Sequence, residues 1–408
     1  MIRQANKKII LITTGQPSTN PRMIKEIDAL LSVGYNVKVL YSYWAEWAAK
    51  TDPILIQKYP KNLFEEIGGD SRSKKNIFWV SRVIHKLIRC FSSIFPFLND
   101  YALARTSFLL AKAAKKQKAD LYIAHNLGAL PAAAKAAKKF NTLYAFDAED
   151  YHRGEYAKPT GKYYTLTKKL ESKFLPGSVY ITAASPLIAD AYNKITPASN
   201  IQVVNNVFSK KHLQAMPEKK GEEGLCIFWF SQTIGANRGL ETIIAAINLL
   251  PEYKVSLHLM GHCSEEYRNS LIKLSSRQNT LYFLQPEQPD HIFSIAAQFD
   301  IGLAAEEPHN YNRNFCLTNK IFTYLLAGNF ILASATLAQK QFMEEYGGIG
   351  SLFDYNDVKG LASLLKNLYS DNTRLFNCRK NALELATTKL NWEEEQKIFL
   401  HLVAKAVS

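Results

Sequence analysis

Asn319 and Lys320 open a helix-like run, NKIFTYLLAG, downstream of an apolar stretch (Ile301 to Ala305) and two carboxylates, Glu306 and Glu307. An apolar strand ending in charged groups, a polar loop, a helix begun by a lysine and a second apolar strand (Phe330 to Ala333) together make a ligand-binding βαβ unit. Helix N-termini present free N–H groups and the positive end of the dipole, so they receive anions. A lysine there suits a phosphate, and carboxylates suit hydroxyl groups. The ligand chemistry is therefore phosphate plus hydroxyls, which a nucleotide-sugar combines.

A second loop has related character. Ser231-Gln232-Thr233-Ile234-Gly235-Ala236-Asn237-Arg238-Gly239 follows an apolar strand and precedes the helical run LETIIAAINLL. Its glycines let backbone approach a diphosphate, and Arg238 adds a forked, permanent charge. Loops of this composition are common, and a surface pair between Arg238 and Glu241 is the competing reading. With Lys320 the case strengthens, because two cations then stand at two helix starts along one sheet edge.

His125-Asn126 ends the strand LYIA, and a histidine at the carboxyl end of a parallel strand is expected to face the ligand. A histidine without such a position is usually a packing residue. Asp147, Glu149 and Asp150 end the strand Leu143 to Phe146. They can hold a divalent cation, form a solvated turn or bind an acceptor hydroxyl. The non-metal readings are favoured, because no further carboxylate cluster completes a cage. Gly15 ends the first strand and leaves room for a ligand to approach backbone, unless it is only a turn glycine.

These residues need a scaffold, and the patterning supplies one. Lys8 to Thr14, Asn36 to Tyr41, Asp120 to Ala124, Leu143 to Phe146, Val179 to Thr182 and Ile201 to Val204 are short and apolar, as buried parallel strands are. Helical runs lie between them, one with Asn20 as cap, Pro21 at its first position and Gly34 after its last turn. The pattern restarts with Leu225 to Phe230, Val255 to Met260, Leu281 to Leu284, Ile301 to Ala305, Phe330 to Ala333 and Ser351 to Phe353. The expected fold class is α/β, with two Rossmann-like doubly wound domains facing a cleft. A polar stretch, 209–224, is the expected linker. The assigned domains are 1–208, 209–388 and a C-terminal helix, 389–408.

Composition sets further bounds. The 408 residues are 47% hydrophobic and 21% charged, as in ordinary globular domains, and no apolar run is long enough to span a membrane. The apolar part of MIRQANKKIILITTG is too short for a signal peptide and reads as a first strand. Five scattered cysteines without a CxxC are expected to be reduced thiols, which places the protein in the cytoplasm. No dinucleotide fingerprint, Walker A loop, GxSxG elbow or HExxH is present.

The net charge is +14, and residues 1–205 hold 30 of the 50 Lys and Arg but only 15 of the 36 Asp and Glu. That half suits an anionic surface, or is simply a lysine-rich solvated face. In residues 72–118, Phe78, Trp79, Val83, Leu87, Ile88 and Phe91 recur at helical spacing with Arg82, Lys86 and Arg89 among them. Such a helix can lie in a membrane interface or can be a core helix with a basic outer face. Peripheral contact with an anionic membrane is carried forward as an expected partner. Nucleic acid is not expected, since the cations are interleaved with an apolar face and no recognition motif is visible.

Taken together, AHNLGALPAAAKAAKK, YAFDAED, ITAASPLIADAY, IQVVNNVF, FSQTIGANRGLE and LTNKIFTYLLAG resemble the GT-B-fold glycosyltransferases, in particular the retaining family 4 group that builds bacterial polysaccharides and glycolipids. The resemblance spans most of the chain. It implies a C-terminal domain that binds a UDP- or GDP-sugar donor, an N-terminal domain on the side of a glycan or lipid-linked acceptor, and a last helix around Trp392 that crosses back to the first domain. It implies no cofactor and no metal. By this resemblance Arg238 and Lys320 hold the donor diphosphate, His125 lies beside the transferred sugar, and Gly15 lies near the donor phosphates. The donor-side set is Gly15, Ser231, Gly261, Glu306, Asn319 and Thr323; Asp147 and Glu149 are the acceptor-side candidates. One departure stands out. Many relatives carry a Glu-x7-Glu pair whose places are taken here by Phe315 and Thr323, so Glu306 or Glu307 is expected to stand in for the first carboxylate and Thr323 to offer one weaker hydrogen bond. Two other classes fit the same fold: a sugar-nucleotide 2-epimerase using Asp147, Glu149 and Asp150, and a non-catalytic nucleotide-sugar or glycan-binding protein.

Overall fold

The computed structural model describes residues 7–216, 224–277 and 280–408, so residues 217–223 of the expected linker lie outside the described residues. The chain divides into two compact units, residues up to 204 together with 396–408, and residues 205–395.

In the first unit the strands are β1 (Lys8–Thr13), β2 (Asn36–Tyr41), β3 (Phe64–Glu66), β4 (Leu121–His125), β5 (Leu143–Ala148), β6 (Ile181–Ala183) and β7 (Ile201–Val203). They form one parallel sheet in the order β3-β2-β1-β4-β5-β6-β7. The order reverses at β1/β4, the position where doubly wound sheets open a crevice. Ile9 to Ile12 and Leu121 to Ala124 are almost wholly enclosed, because both faces of a parallel sheet are covered by helices. β3 is the strand that the patterning did not disclose; its three residues, Phe-Glu-Glu, are too short and polar to register as an apolar run. In register, Thr13, His125, Asp147 and Thr182 form one row across the carboxyl ends of β1, β4, β5 and β6. The helix Pro21–Ser32 covers that row. Asn20 caps it by accepting from the Met23 N–H, and proline sits in its first turn.

In the second unit the strands are β8 (Leu225–Ile234), β9 (Val255–Cys263), β10 (Leu281–Leu284), β11 (Ile301–Ala304), β12 (Phe330–Ser334) and β13 (Gly350–Phe353). Their order is β10-β9-β8-β11-β12-β13, again parallel throughout, with the reversal at β8/β11. β8 continues beyond Phe230 through an irregularity between Phe230 and Thr233. The helix Asn319–Ala327 follows β11 and stops at Gly328, which adopts φ 66. Every residue of this helix from Lys320 to Ala327 is buried, so no face is left to solvent along that length. The sheet lies on one side of it, and the helices Ile292–Ala296 and Asn372–Thr388 pack on the others.

The last helix, Trp392–Val407, explains its acidic start. Glu393 accepts from the Ser209 hydroxyl and the Lys210 N–H, and Glu395 accepts from the backbone and side chain of Asn205. Carboxylates in a first helical turn also complement the dipole. No helix among the described residues is long and apolar enough to cross a membrane.

Candidate functional site

In the second unit, β11 delivers Glu306 to the end of the sheet and, beyond a short helix at Tyr311–Phe315, the helix Asn319–Ala327 delivers Lys320 in its first turn. Lys320 Nζ lies 2.7 Å from Glu306 Oε1, with the two residues 7% and 2% exposed. Arg313 approaches the other carboxylate oxygen at 3.6 Å, and the Lys320 ammonium also sits 5.4 Å from the Trp229 ring. Burial alone would push the Glu306 carboxyl up, but Lys320 and Arg313 more than offset it and hold the group below its ordinary value. Ser334, at the end of β12, accepts from the Glu306 N–H and fixes the backbone there. Of the two carboxylates that follow β11, it is Glu306 that pairs with Lys320.

Asn319 lies half-buried at the first position of the same helix. Thr323 is 2% exposed and its hydroxyl donates back to the Asn319 carbonyl, so it presents no free donor. Phe315 rests its ring 6.0 Å from Tyr311. Tyr324 fills the β8/β11 crevice from beneath and donates to the Phe228 and Leu303 carbonyls, each at 3.2 Å. Gly302 makes room for it; a Cβ there would come 2.2 Å from the ring.

Arg238 is half-buried in the loop before the helix Leu240–Asn248 and forms no ion pair among the described residues. The competing pair with Glu241 does not form, because Glu241 accepts instead from the Tyr267 hydroxyl at 2.6 Å. Two left-handed residues, Asn237 (φ 61) and Gly239 (φ 72), shape the turn that presents Arg238. Ser231 is half-buried at the β8 irregularity. Gly261 has a packing reason that the donor-side reading did not include: it adopts φ 148, and a Cβ would meet the Ser231 carbonyl at 2.2 Å.

In the first unit a cavity of about 440 Å³ opens at the carboxyl end of the sheet, lined by Gly15, Asn20, Asn126, Glu149 and His152 among others. Glu149, Asp150 and Glu155 are the carboxylates that line it; Glu149 is partly exposed, and Asn20 donates to it. Asn126, at φ 65, bridges Thr13 and Thr14 by hydrogen bonds of 3.0 and 2.8 Å. Gly15 has an ordinary φ, and a Cβ there would sit 3.1 Å from the Thr19 hydroxyl, so the position is snug rather than strained.

His125 does not face this cavity; it is fully enclosed beneath it. Its Nε2 lies 3.1 Å from Glu26, and its Nδ1 lies 3.3 Å from Asp147 and 3.6 Å from Glu149. Asp147 is equally enclosed and committed. Arg22 donates to both of its oxygens at 2.8 Å, and the Thr182 hydroxyl donates at 2.5 Å. Burial would lower the His125 pKa, but Glu26, Asp147 and Glu149 outweigh it and hold the imidazole well above its usual value. Burial would raise Asp147, and the charges of Arg22 and His125 hold it far below the carboxylate range instead. The alternation of charges explains why buried ionic groups are tolerated here. Glu26, His125 and Asp147 bring ligand atoms within 4.8 Å of one another, the spacing of a metal site. Two cationic side chains, Arg22 and the imidazolium, already answer the carboxylates.

Arg22 and Glu26 are the residues that sequence reasoning missed. A signal was available: they stand four apart on the same helix face as Met23, Ile27 and Leu30, all buried, and a charged pair on an apolar face needs buried partners.

No protein-family model matches this chain, and no curated protein matches it. Solved structures do. HepE from Anabaena in complex with UDP-glucose is 17% identical, covers 98% of this chain and 100% of its own, and aligns with a TM-score of 0.69. Sucrose-phosphate synthase from Thermosynechococcus elongatus is 15% identical with a TM-score of 0.70, covering 98% of each chain. A glycosyltransferase from Rickettsia africae is 14% identical with a TM-score of 0.68, over 98% of this chain and 99% of its own. Identities this low speak for architecture. The chain has the GT-B fold over almost its whole length.

Proposed function

We propose that the protein is a retaining, metal-independent glycosyltransferase that moves a sugar, as a hexosyl group, from a nucleoside diphosphate to a hydroxyl of a glycan or lipid-linked acceptor. The observation that carries this reading is the Lys320–Glu306 pair at the end of β11, next to the switch point of the second sheet. Arg238, free of any ion pair among the described residues, adds a second cation at a helix start. A uridine nucleotide is the favoured donor, because HepE was crystallised with UDP-glucose and TarM from S. aureus with UDP.

In the proposed reaction the bond between the anomeric carbon and the diphosphate oxygen breaks and a bond to the acceptor oxygen forms on the same face. The acceptor proton passes to the departing phosphate oxygen. Lys320, Arg238 and the first N–H groups of the two helices stabilise the charge that develops on the diphosphate, work that fixed donors do well in a site shielded from water. Two side-chain cations supply what a divalent ion supplies elsewhere. The enclosed His125 and Asp147 are positioning groups in this scheme, and Glu149 is the group that would meet an acceptor hydroxyl. The commitment of Asp147 to Arg22 removes one carboxylate on which an epimerase reading would rely.

A thermal-shift panel of uridine, guanosine and adenosine diphosphates and their sugar derivatives tests the proposal. A ligand present at about 100 times its Kd stabilises the native state by about 2.7 kcal/mol. Uridine nucleotides are expected to raise the midpoint, and Lys320→Ala is expected to lose that response. Silence toward every nucleotide would overturn the reading.

A further inference from the structure

The helix Lys75–Phe91 in the first unit carries two apolar stripes, whereas packing against one neighbour uses one. Phe78, His85 and Ile88 turn toward the protein, with Ser81 buried among them. A second stripe, Val80, Val83, Leu87 and Phe91, recurs at helical spacing and is 44–57% exposed. Two further apolar side chains continue it past the helix end, Ile94 at 65% and Phe97 at 61% exposed. A third stripe consists of Arg82, Lys86 and Arg89, none of which pairs with a carboxylate among the described residues. No acidic residue occurs from position 71 to 99.

The cations border an open groove of about 880 Å³, which Lys162 and Arg105 also line. Aromatic side chains orient two of them: the Arg82 guanidinium lies 5.0 Å from the Trp79 ring and the Arg89 guanidinium 5.2 Å from the Tyr163 ring. Trp79 is itself 59% exposed. An exposed contiguous apolar patch of this kind marks an interaction site. Its chemistry selects the partner. A soluble polyanion would use the cations and leave the apolar stripe in water. An apolar protein groove would use the stripe and have no need of three unpaired cations beside it. A bilayer with anionic headgroups uses both, with the apolar stripe in the acyl boundary, tryptophan at the interface and basic side chains at the phosphates.

We infer that this surface docks the protein on an anionic phospholipid bilayer, with the stripe from Val80 to Phe91 and the turn at 94–97 entering the interface and the groove receiving lipid phosphate. The helix lies on the membrane and does not cross it, in keeping with the lack of a spanning helix among the described residues.

Flotation of the full chain with vesicles of phosphatidylcholine, alone or enriched in phosphatidylglycerol, tests this. The protein should float with the anionic vesicles, less so in high salt, and its tryptophan emission should shift to shorter wavelength, by less in Trp79→Phe. Reversing the cations (R82E/K86E/R89E) should weaken partitioning by roughly 100-fold or more, at about fivefold per basic residue. Charging the stripe (V83E/L87E) should abolish flotation while leaving the cations in place. Both sets lie on the solvent side of the helix, and melting curves verify that the variants fold. Failure of the parent chain to float, or flotation of V83E/L87E at the parent level, overturns the inference; so does capture by a soluble polyanion that V83E/L87E leaves intact together with absent flotation. The measurement contains no nucleotide, so its outcome is separable from that of the donor panel.

Discussion

Lys320 Nζ and Glu306 Oε1 lie 2.7 Å apart in a part of the second unit where neither side chain is appreciably exposed. The pair joins the end of β11 to the first turn of the helix Asn319–Ala327. Removing one partner of a buried pair strands the other charge at a cost of about 3–5 kcal/mol, whereas removing both can be nearly neutral. Lys320→Ala is therefore expected to destabilise the protein by roughly 3 kcal/mol, softened by the approach of Arg313. The double variant K320M/E306Q should recover most of that loss and still fail to respond to nucleotide. Urea unfolding of the parent, K320M, E306Q and K320M/E306Q, the four corners of a cycle, measures the coupling. The sign of the pH effect follows from the lowered Glu306 pKa: its contribution is present above about 4.5 and is lost as pH falls through the folded value.

Arg238 should behave in the opposite way. It is half-buried, makes no ion pair among the described residues, and its loop is shaped by Asn237 and Gly239 rather than by its own side chain. Arg238→Ala is expected to change stability by about 0.5 kcal/mol or less, because the side chain is not enclosed and leaves no partnered charge behind. Donor affinity should drop by about 10- to 100-fold, the worth of a hydrogen bond to a charged group at about 1.5–3 kcal/mol. Calorimetric titration with the nucleotide found in the thermal-shift panel reads the second quantity. A large stability loss with unchanged affinity would make Arg238 a structural residue.

The contrast between these two cations shows what the sequence could disclose. Short apolar runs placed the strands of both sheets except β3, because buried parallel strands must be continuously apolar and a three-residue edge strand need not be. The place of Lys320 at a helix start was legible from the pattern around it, whereas its burial was not. The Glu306 pairing needed tertiary geometry, since fourteen residues of loop and helix separate the partners. His125 was found by its place at the end of β4, but that place does not say which way the ring points. Its surroundings come from Arg22 and Glu26 on the first helix, about a hundred residues earlier. Thr323 looked available because helical phase cannot show that a helix is covered on every side.

Gly302 and Tyr324 form a lock at the second switch point. The phenol of Tyr324 reaches two carbonyls, on β8 and β11, only because Gly302 has no side chain. Gly302→Ala drives a methyl group into a buried ring and should cost about 1–3 kcal/mol, as overpacking does. Tyr324→Phe keeps the ring and leaves carbonyls without their donor, a loss of about 1 kcal/mol or more. Denaturation midpoints give both values. An unperturbed Gly302→Ala protein would mean that the ring can retreat, and the crevice would not be rigid.

The stability of the first unit should carry a pH signature from His125. The imidazole is held well above its usual 6.5 by Glu26, Asp147 and Glu149 against the opposing effect of burial. A group whose pKa is higher in the folded than in the unfolded chain contributes fully below the unfolded value and loses that contribution as pH rises through the folded one. Asp147, held low, works the other way: its contribution is present above about 3.8 and is lost only as pH falls below that, outside the range in which His125 titrates. Glu26 is raised by burial and by Asp147, so folding also favours its protonated form and adds to the loss of stability with rising pH. His125→Gln should therefore destabilise most below pH 6.5, by about 3 kcal/mol for a buried charge removed from its partners, and the gap from the parent should narrow as the solution becomes alkaline. Urea midpoints for both proteins across that range supply the test. A gap that stays constant with pH would show that the ring is neutral in the fold, and the alternating charges of Arg22, Glu26, His125 and Asp147 would need a different reading.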